Sequence, residues 1–140
     1  MRKKIVCNDK KQNEFEFKID GLEDLKILEV TRPSFELKDS SVAIGTFSAI
    51  FRDTSNPSCP HALMKWLAEQ FVGASDENYV PRSAVLRVFD SARNVVEEWE
   101  YSKIRLLSID FNCYGELSTV RYSDNLAVSI KCSVEAYTLK

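Results

Sequence analysis

The sequence predicts a mainly β fold, an antiparallel sandwich or barrel with one short α-helix. Three patterns indicate this class. Apolar residues occupy every second position from Leu126 to Ala136, which is the period of a strand with one buried face. Between Asn56 and Gly73, apolar residues recur at helical spacing instead. The links between successive strand patterns are short, so neighbouring strands should run antiparallel rather than through parallel crossovers.

The composition fits one domain spanning residues 1–140. Hydrophobic residues make up 44% and charged residues 29%, which is ordinary for a globular protein. No apolar run reaches membrane-spanning length, and the basic start lacks the apolar stretch of a secretory signal, so we expect a protein that stays in the cytosol that made it. Residues 1–12 carry clustered Lys and Arg and are expected to form a flexible arm. The net charge of −2, with acids and bases mixed, gives no basic face for gripping nucleic acid.

Period-two alternation predicts strands on both sides of the helix. Pro33 should lie at a break or an edge, because proline cannot donate to a ladder. The polar segment from Ser91 to Asn94 is typical of a hairpin turn, and Ser102 and Lys103 should join a further antiparallel pair. The predicted strands are residues 13–19, 26–37, 42–52, 84–90, 95–101, 104–113 and 126–136.

The predicted helix begins between Asn56 and Pro60 and stops at Gly73. Prolines are tolerated in a first turn, and glycine commonly ends a helix. Such a helix more often packs on a sheet than lines a ligand pocket. We therefore assign its apolar stripe to the core: Leu63, Trp66, Leu67 and Phe71.

Catalytic constellations are nearly absent from the sequence. His61 is the single histidine, and no nucleophile motif accompanies it, so it is interpreted as a surface residue. Four glycines leave no Gly-rich phosphate loop. Glu97, Glu98 and Glu100 form the densest acidic cluster, but strand alternation turns Glu97 away from the other two, which favours a solvated face over a metal or acid–base pair. The sequence predicts no enzyme, no metal site and no cofactor.

The four cysteines are far apart and never form a Cys-x-x-Cys motif. With one histidine in the chain, a structural zinc site would need nearly every soft ligand present. Free and mostly buried thiols in a reducing compartment are the favoured interpretation. The residues concerned are Cys7, Cys59, Cys113 and Cys132.

The order of elements in residues 60–138 resembles the tail-tube proteins of contractile-tailed bacteriophages. In that family a helix with a central tryptophan, here Trp66, precedes a strand, a short turn, a strand ending in an aromatic, and two further strands. The matching segments here are 84–101, 104–111 and the last alternating strand. Two departures are residues 101–104, where the family has a small-aromatic-proline segment, and the link 37–41, which is shorter than the family's long inter-subunit loop.

The resemblance implies the tail-tube fold and a structural role in a virion tail, after synthesis in the host cytoplasm. In this family six subunits form a ring, neighbouring sheets join into one closed barrel, and stacked rings form a channel through which DNA passes into the host without specific binding. Sheath and baseplate proteins would be the further partners, with no membrane and no cofactor involved.

The resemblance also divides the sheet residues between a channel wall and a core. The residues expected to face the lumen are Glu29, Thr31, Thr46, Ser48, Glu98, Glu100, Ser108 and Asp110. The residues expected in the core are Phe47, Phe51, Leu63, Trp66, Leu67, Phe71, Leu107, Ile109, Phe111, Val128, Ile130 and Cys132.

Two alternatives remain within the same class, a baseplate ring that initiates the tube and the ring protein of type VI secretion. A different class, a monomeric β-sandwich binding module, is equally compatible with the alternation. Particle size in solution distinguishes a ring from a monomer.

Overall fold

The computed structural model describes residues 10–39, 41–42, 45–73, 81–111 and 126–140. Within them, six strands form one antiparallel sheet in the order β1-β6-β7-β8-β5-β2, and β3 and β4 form a separate two-stranded pair. The mainly antiparallel β fold with one helix is confirmed. The elements are β1 Lys10–Ile19, β2 Ile27–Val30, β3 Leu37–Lys38, β4 Ser41–Val42, β5 Gly45–Arg52, α1 Cys59–Gly73, β6 Arg82–Asp90, β7 Val95–Asp110 and β8 Ala127–Leu139.

The sheet curls almost into a barrel around an aromatic core. Phe17 on the edge strand β1 meets Phe47 on β5, with ring centroids 5.5 Å apart, although three strands separate β1 from β5 in the sheet. Tyr101 on β7 stacks on Phe47 at 5.3 Å. The apolar faces of both halves of the sheet are thereby buried against each other.

The hairpin between β6 and β7 turns where the sequence predicts. Asp90 is buried at the end of β6, and its Oδ1 accepts hydrogen bonds from the backbone amides of Ala92 and Asn94, both at 2.9 Å. Arg93 takes the left-handed conformation with φ of 63°. The two strands then pair antiparallel along their length.

The predicted second turn at Ser102 and Lys103 is wrong. β7 is one strand of 16 residues that runs through this point, and its register with β8 does not shift there. The register with β6 does shift, and Lys103 has a φ of 55°, so the two polar residues form a bulge. Tyr101 is buried before the bulge, and Ile104 and Leu106 are buried after it. The bulge therefore moves the buried positions from odd to even numbers.

A second irregularity overturns one expected core residue. The register of β7 with β8 shifts between Leu106 and Ser108, which leaves Leu107 as the extra residue, 55% exposed. Ile109 and Phe111 resume the inward positions and pack half-buried against the core. The prediction that Leu107 belongs to the core is wrong because a bulge resets strand alternation.

The helix α1 begins at Cys59 and ends at Gly73, as the sequence predicts. Leu63 and Trp66 are fully buried, and Leu67 is half-buried. Phe71 was also expected in the core, but it is 73% exposed. Successive helical residues are about 100° apart, so Phe71 lies away from the side on which Gln70 reaches the sheet.

The other expected core residues lie inside the barrel. They are Phe47, Phe51, Val128, Ile130 and Cys132, each at most 2% exposed.

The strand predicted for residues 26–37 is interrupted at Pro33. β2, which pairs with β5, ends at Val30, and the chain then continues irregularly along the same side of β5, where Ser34 pairs with Thr46. The Phe35 ring then covers Gly45 so closely that a Cβ at Gly45 would lie 2.5 Å from it. Glycine is favoured at this position because a Cβ would force the Phe35 ring to shift.

The expected flexible arm, residues 1–12, lies mostly outside the described residues. Lys10 to Gln12 already belong to β1.

Candidate functional site

One outer face of the sheet gathers six of the eight residues expected to face a lumen. It spans β7, β8, β5 and β2 on the side opposite the buried residues. We call it the polar face, and it consists of Glu29, Thr31, Thr46, Ser48, Ser108, Asp110, Ser129 and Lys131.

Strand register aligns the polar face in rows. Ser108 pairs with Lys131, and Lys131 pairs with Ser48, so three strands contribute to one row. Thr31 extends this row, since its Oγ1 accepts a hydrogen bond from the Ser48 amide at 2.8 Å. The structure therefore brings together residues that are up to 100 positions apart (Thr31 to Lys131) in the sequence.

A second row carries the acidic residues of the polar face. Asp110 pairs with Ser129, Ser129 with Ile50, and Ile50 with Glu29. Asp110 and Glu29 thus lie at opposite ends of the row, and the exposed Lys131 belongs to the neighbouring row. Of the eight residues of the polar face, two are acidic and one is basic, so these eight include no run of cations.

Glu98 and Glu100 do not join the polar face. They lie on the first half of β7, beside β6 and the end of β8, and each contacts a cation. Arg87 Nε lies 2.5 Å from Glu98 Oε1, and Lys140 Nζ lies 2.5 Å from Glu100 Oε1. These contacts raise the pKa of both Arg87 and Lys140.

The ion pairs continue onto the edge strand β1. Glu16 lies 3.6 Å from Arg87 and 3.1 Å from Lys18. Glu98 and Glu100, which were expected to face the lumen, are therefore balanced by cations of the same sheet. Glu97 points the other way, as alternation predicts, and its buried carboxylate lies 3.5 Å from Arg32.

An apolar groove of about 280 Å³ lies between α1 and the second half of β7. Leu107 and Met64 on its walls are exposed at 55% and 47%. The groove is lined by Met64, Leu67, Leu106, Leu107, Ser108, Ile109 and Phe111.

Gln70 connects the helix to the backbone of β7 beside this groove. Its Oε1 accepts a hydrogen bond from Leu106 N at 2.7 Å, and its Nε2 donates to Leu106 O at 2.9 Å. One side-chain amide thus makes the two bonds that a residue of a neighbouring strand would make.

The sheet has two edges among the described residues. β1 pairs with β6 and β2 pairs with β5, each on one side only. Edge strands offer unpaired backbone groups to another chain.

The candidate catalytic residues take structural positions. His61 is exposed, and its Nδ1 lies 2.6 Å from the Oγ of Ser58, which also accepts a hydrogen bond from the His61 amide at the start of α1. Cys59 and Cys132 are free and buried, and burial raises the pKa of both thiols, to about 11 for Cys59. Cys7 and Cys113 lie outside the described residues.

The described part of the chain holds neither a candidate metal site nor a membrane-spanning helix. No cluster of three His, Cys, Asp or Glu side chains there could hold a metal ion. No helix there is long and apolar enough to cross a membrane.

The sequence analysis missed two residues that connect helix α1 to the sheet, Arg82 and Gln70. Arg82 lies with its guanidinium 5.2 Å from the centre of the Trp66 ring, while Nη2 contacts Glu69 at 3.0 Å and Nη1 donates to Asp20 O at 2.9 Å. Gln70 was missed as well. A polar residue at helical spacing with Leu63 and Trp66 is the signal that could have indicated an inward-facing amide.

No protein-family model and no curated protein matches the sequence. Solved structures do match the fold. A chain of the PVC sheath-tube complex of an extracellular contractile injection system, in the extended state, is 12% identical with a TM-score of 0.60, covering 91% of this chain and 88% of that chain. The cap of the anti-feeding prophage, described as a tube-terminating cap, is 9% identical with a TM-score of 0.59, covering 99% of this chain and 95% of that one.

These likenesses extend over nearly the whole of each chain. The protein therefore has a fold that is used by structural components of contractile injection systems. This confirms, at the level of the fold, the resemblance seen in the order of the elements.

Proposed function

We propose that the protein is a structural subunit of a contractile tail, forming hexameric rings that stack into a tail tube. The observation that carries the proposal is the fold, which is similar along almost its entire length to chains of a sheath-tube complex and of a tube cap. The resemblance to phage tail-tube proteins, seen independently in the sequence, supports the same role. Sheath and baseplate proteins would then be its partners in a virion tail.

The two sheet edges give the ring a means of closing. In a head-to-tail ring, β1 of one subunit would lie beside the opposite edge of its neighbour, so that each copy covers the open backbone groups of the next. A lone sheet leaves both edges exposed to unwanted pairing, whereas a closed ring removes them.

The polar face suits the wall of a channel for DNA. Its serines and threonines are interspersed with Glu29, Asp110 and Lys131, so phosphates would meet no cluster of cations that could hold them. Glu98 and Glu100 are paired with cations, and we therefore assign the channel wall to the polar face alone.

A tube-terminating cap is the second candidate, because a cap chain is among the similar structures. Imaging distinguishes the two functions. The concentrated protein is examined by negative-stain microscopy and light scattering, alone and with purified tail sheath. Stacked rings with a central hole support a tube subunit, single rings support a cap, and monomers under every condition contradict both.

The channel wall is tested separately with Ser108→Lys and Asp110→Lys in the same chain. Assembled particles of this variant should bind short duplex DNA at low salt and release it as salt rises, since each added lysine offers a phosphate contact. Glu36→Lys, a charge reversal in the loop after β2, serves as the control. Equal DNA binding by both variants would show that the polar face does not line the channel.

A further inference from the structure

Among the described residues, the last part of β8 has a strand beside it on one side only. β8 pairs with β7 as far as Leu139, whereas β5 begins at Gly45, opposite Val134. The segment that packs at the other side of β8 there is residues 31–36, which follow β2. We propose that this segment is a latch that opens as a unit while the six-stranded sheet stays folded.

The backbone of the latch is joined to β5 at Thr31 and at Ser34. Thr31 N donates a hydrogen bond to Ser48 O at 2.8 Å, and Ser34 and Thr46 exchange two hydrogen bonds, at 2.7 Å and 2.9 Å. Between these points, Pro33 has no amide hydrogen to donate. The bridge from Ser34 to Thr46 is therefore isolated, and it does not belong to a continuous ladder.

Two side chains hold the latch across the end of the sheet. Arg32 Nη1 lies 3.5 Å from both carboxylate oxygens of Glu97 on β7, and the Arg32 side chain is 60% exposed. The half-buried Phe35 ring has its centroid 4.7 Å from that of Tyr137 and 6.5 Å from that of Trp99. An ion pair with an exposed member contributes little, and a half-buried ring contributes less than a fully buried one. The latch is therefore held less firmly than the centre of the sheet.

Closure of the latch is also opposed by a polar group. Trp99 Nε1 is buried and has no hydrogen-bond partner among the described residues. A buried donor without a partner costs free energy that is recovered when water reaches it. Because Phe35 packs beside the Trp99 ring, opening of the latch would give water better access to the indole. The closed and open forms are thereby brought closer in free energy.

An open latch would enlarge an apolar surface at this end of the sheet. Tyr137, Leu139 and Val95 are already 45%, 53% and 51% exposed, and Trp99 lies opposite Leu139 in the register. Closure withholds the Tyr137 and Trp99 rings and the flank of β8 from other chains, as a covering loop does for an open strand. The opening takes place within a single chain, so the proposal does not depend on the ring.

Native-state hydrogen exchange in increasing urea tests whether the latch opens by itself. The reporters are the amides of Ser34 and Thr46, and the reference is the amide of Ile130 in the middle of the sheet. The two reporters should be at least about tenfold less protected than Ile130, and their exchange should depend little on urea, because a local opening exposes little surface. Equal protection and equal urea dependence of all three amides would overturn the proposal.

Phe35→Ala removes the ring that packs on Tyr137 and Trp99. The Ser34 and Thr46 amides should lose protection by roughly tenfold or more, since the packing of a half-buried aromatic ring is lost. Ile130 should remain protected and should keep its strong urea dependence, which shows a folded sheet with an open latch. If instead the three amides lose protection together, with one common urea dependence, the segment is part of the sheet's own folding unit and the latch is refuted.

Arg32→Ala removes the ion pair with Glu97, and its exposure makes it a variant that keeps the fold even if Phe35→Ala does not. Protection of the Ser34 and Thr46 amides should fall by about twofold to fivefold, the range of a partly exposed ion pair. Lys26→Ala, which removes an exposed cation just before β2, is the matched control and should leave both amides unchanged. Equal protection in the two variants would contradict a latch held by Arg32.

Discussion

Replacing Trp66 by Ala should destabilise the whole fold, because Trp66 joins the helix to the sheet. The side chain is fully buried, and Arg82 lies over its ring at 5.2 Å. Truncation of a buried tryptophan costs about 3–5 kcal/mol in unfolding free energy. Loss of the contact with the Arg82 guanidinium adds about 1–2 kcal/mol, since that side chain is largely buried as well.

A loss of this size is a large share of the total stability of a small domain, which is about 5–15 kcal/mol. Urea unfolding followed by circular dichroism and by the fluorescence of Trp99 measures it, with the m-value showing whether the transition remains two-state. The midpoint should fall markedly, or the variant should be unfolded without urea.

Trp66→Phe is the matched control for the same site. The Trp66 Nε1 is buried without a hydrogen-bond partner among the described residues, so phenylalanine removes no hydrogen bond and keeps most of the ring. It should cost clearly less than alanine does. A midpoint for Trp66→Ala equal to that of the wild type would refute the packing of α1 on the sheet, and equal losses for both variants would refute the role of ring volume.

Three further predictions follow from single contacts. Gly45→Ala should destabilise the protein by about 1–3 kcal/mol because its Cβ would overlap the Phe35 ring, and a second change, Phe35→Leu, should restore part of the loss in thermal melts. Asp90→Ala should cost about 2 kcal/mol by leaving two turn amides without their acceptor, whereas Asp90→Asn, which keeps an acceptor oxygen, should cost less in the same urea assay. Burial raises the pKa of the Cys59 thiol to about 11 from an ordinary 9.0, so this thiol ionises at lower pH in the unfolded chain than in the folded one. The free energy of unfolding should therefore fall as pH rises from 9 to 11. Cys59→Ala should make this fall shallower, and equal pH profiles for the two proteins would contradict the burial of an un-ionised Cys59 thiol.

Several elements could be predicted from the sequence because their signals are local. The alternation of β8 identifies Val128, Ile130 and Cys132 as buried, and each is fully buried. The turn after Asp90 is marked by polar residues that bond their own neighbours along the chain. The start of α1 is similar, since Ser58 caps the helix through its own side chain. None of these features depends on a distant strand.

The two failed predictions on β7, the turn at residues 102–103 and the burial of Leu107, share a physical cause, which is pairing between strands that are far apart in the sequence. Ser102 and Lys103 have the composition of a turn, but β8 continues to pair across them, and the chain absorbs the extra residue as a bulge against β6. The position of that bulge depends on residues about 20 to 35 positions away. A sequence pattern within the strand contains no such information.

Distance along β7 separates the residues that were expected to share a channel wall, since Glu100 pairs with Val85 and Thr138 whereas Asp110 pairs with Ser129. Counting odd and even positions tells which side of the sheet a side chain faces only while the strand is regular. β7 contains two irregularities, at Lys103 and at Leu107. Glu100 lies before both and Asp110 after both, so the two shifts cancel and both side chains point away from the core, but ten residues of strand, about 33 Å, separate them. If the polar face lines a channel, the charges that DNA meets are those near Asp110 rather than those near Glu100. Charge reversal at Glu100 should then disturb the ion pair with Lys140 and leave the passage of DNA unaffected.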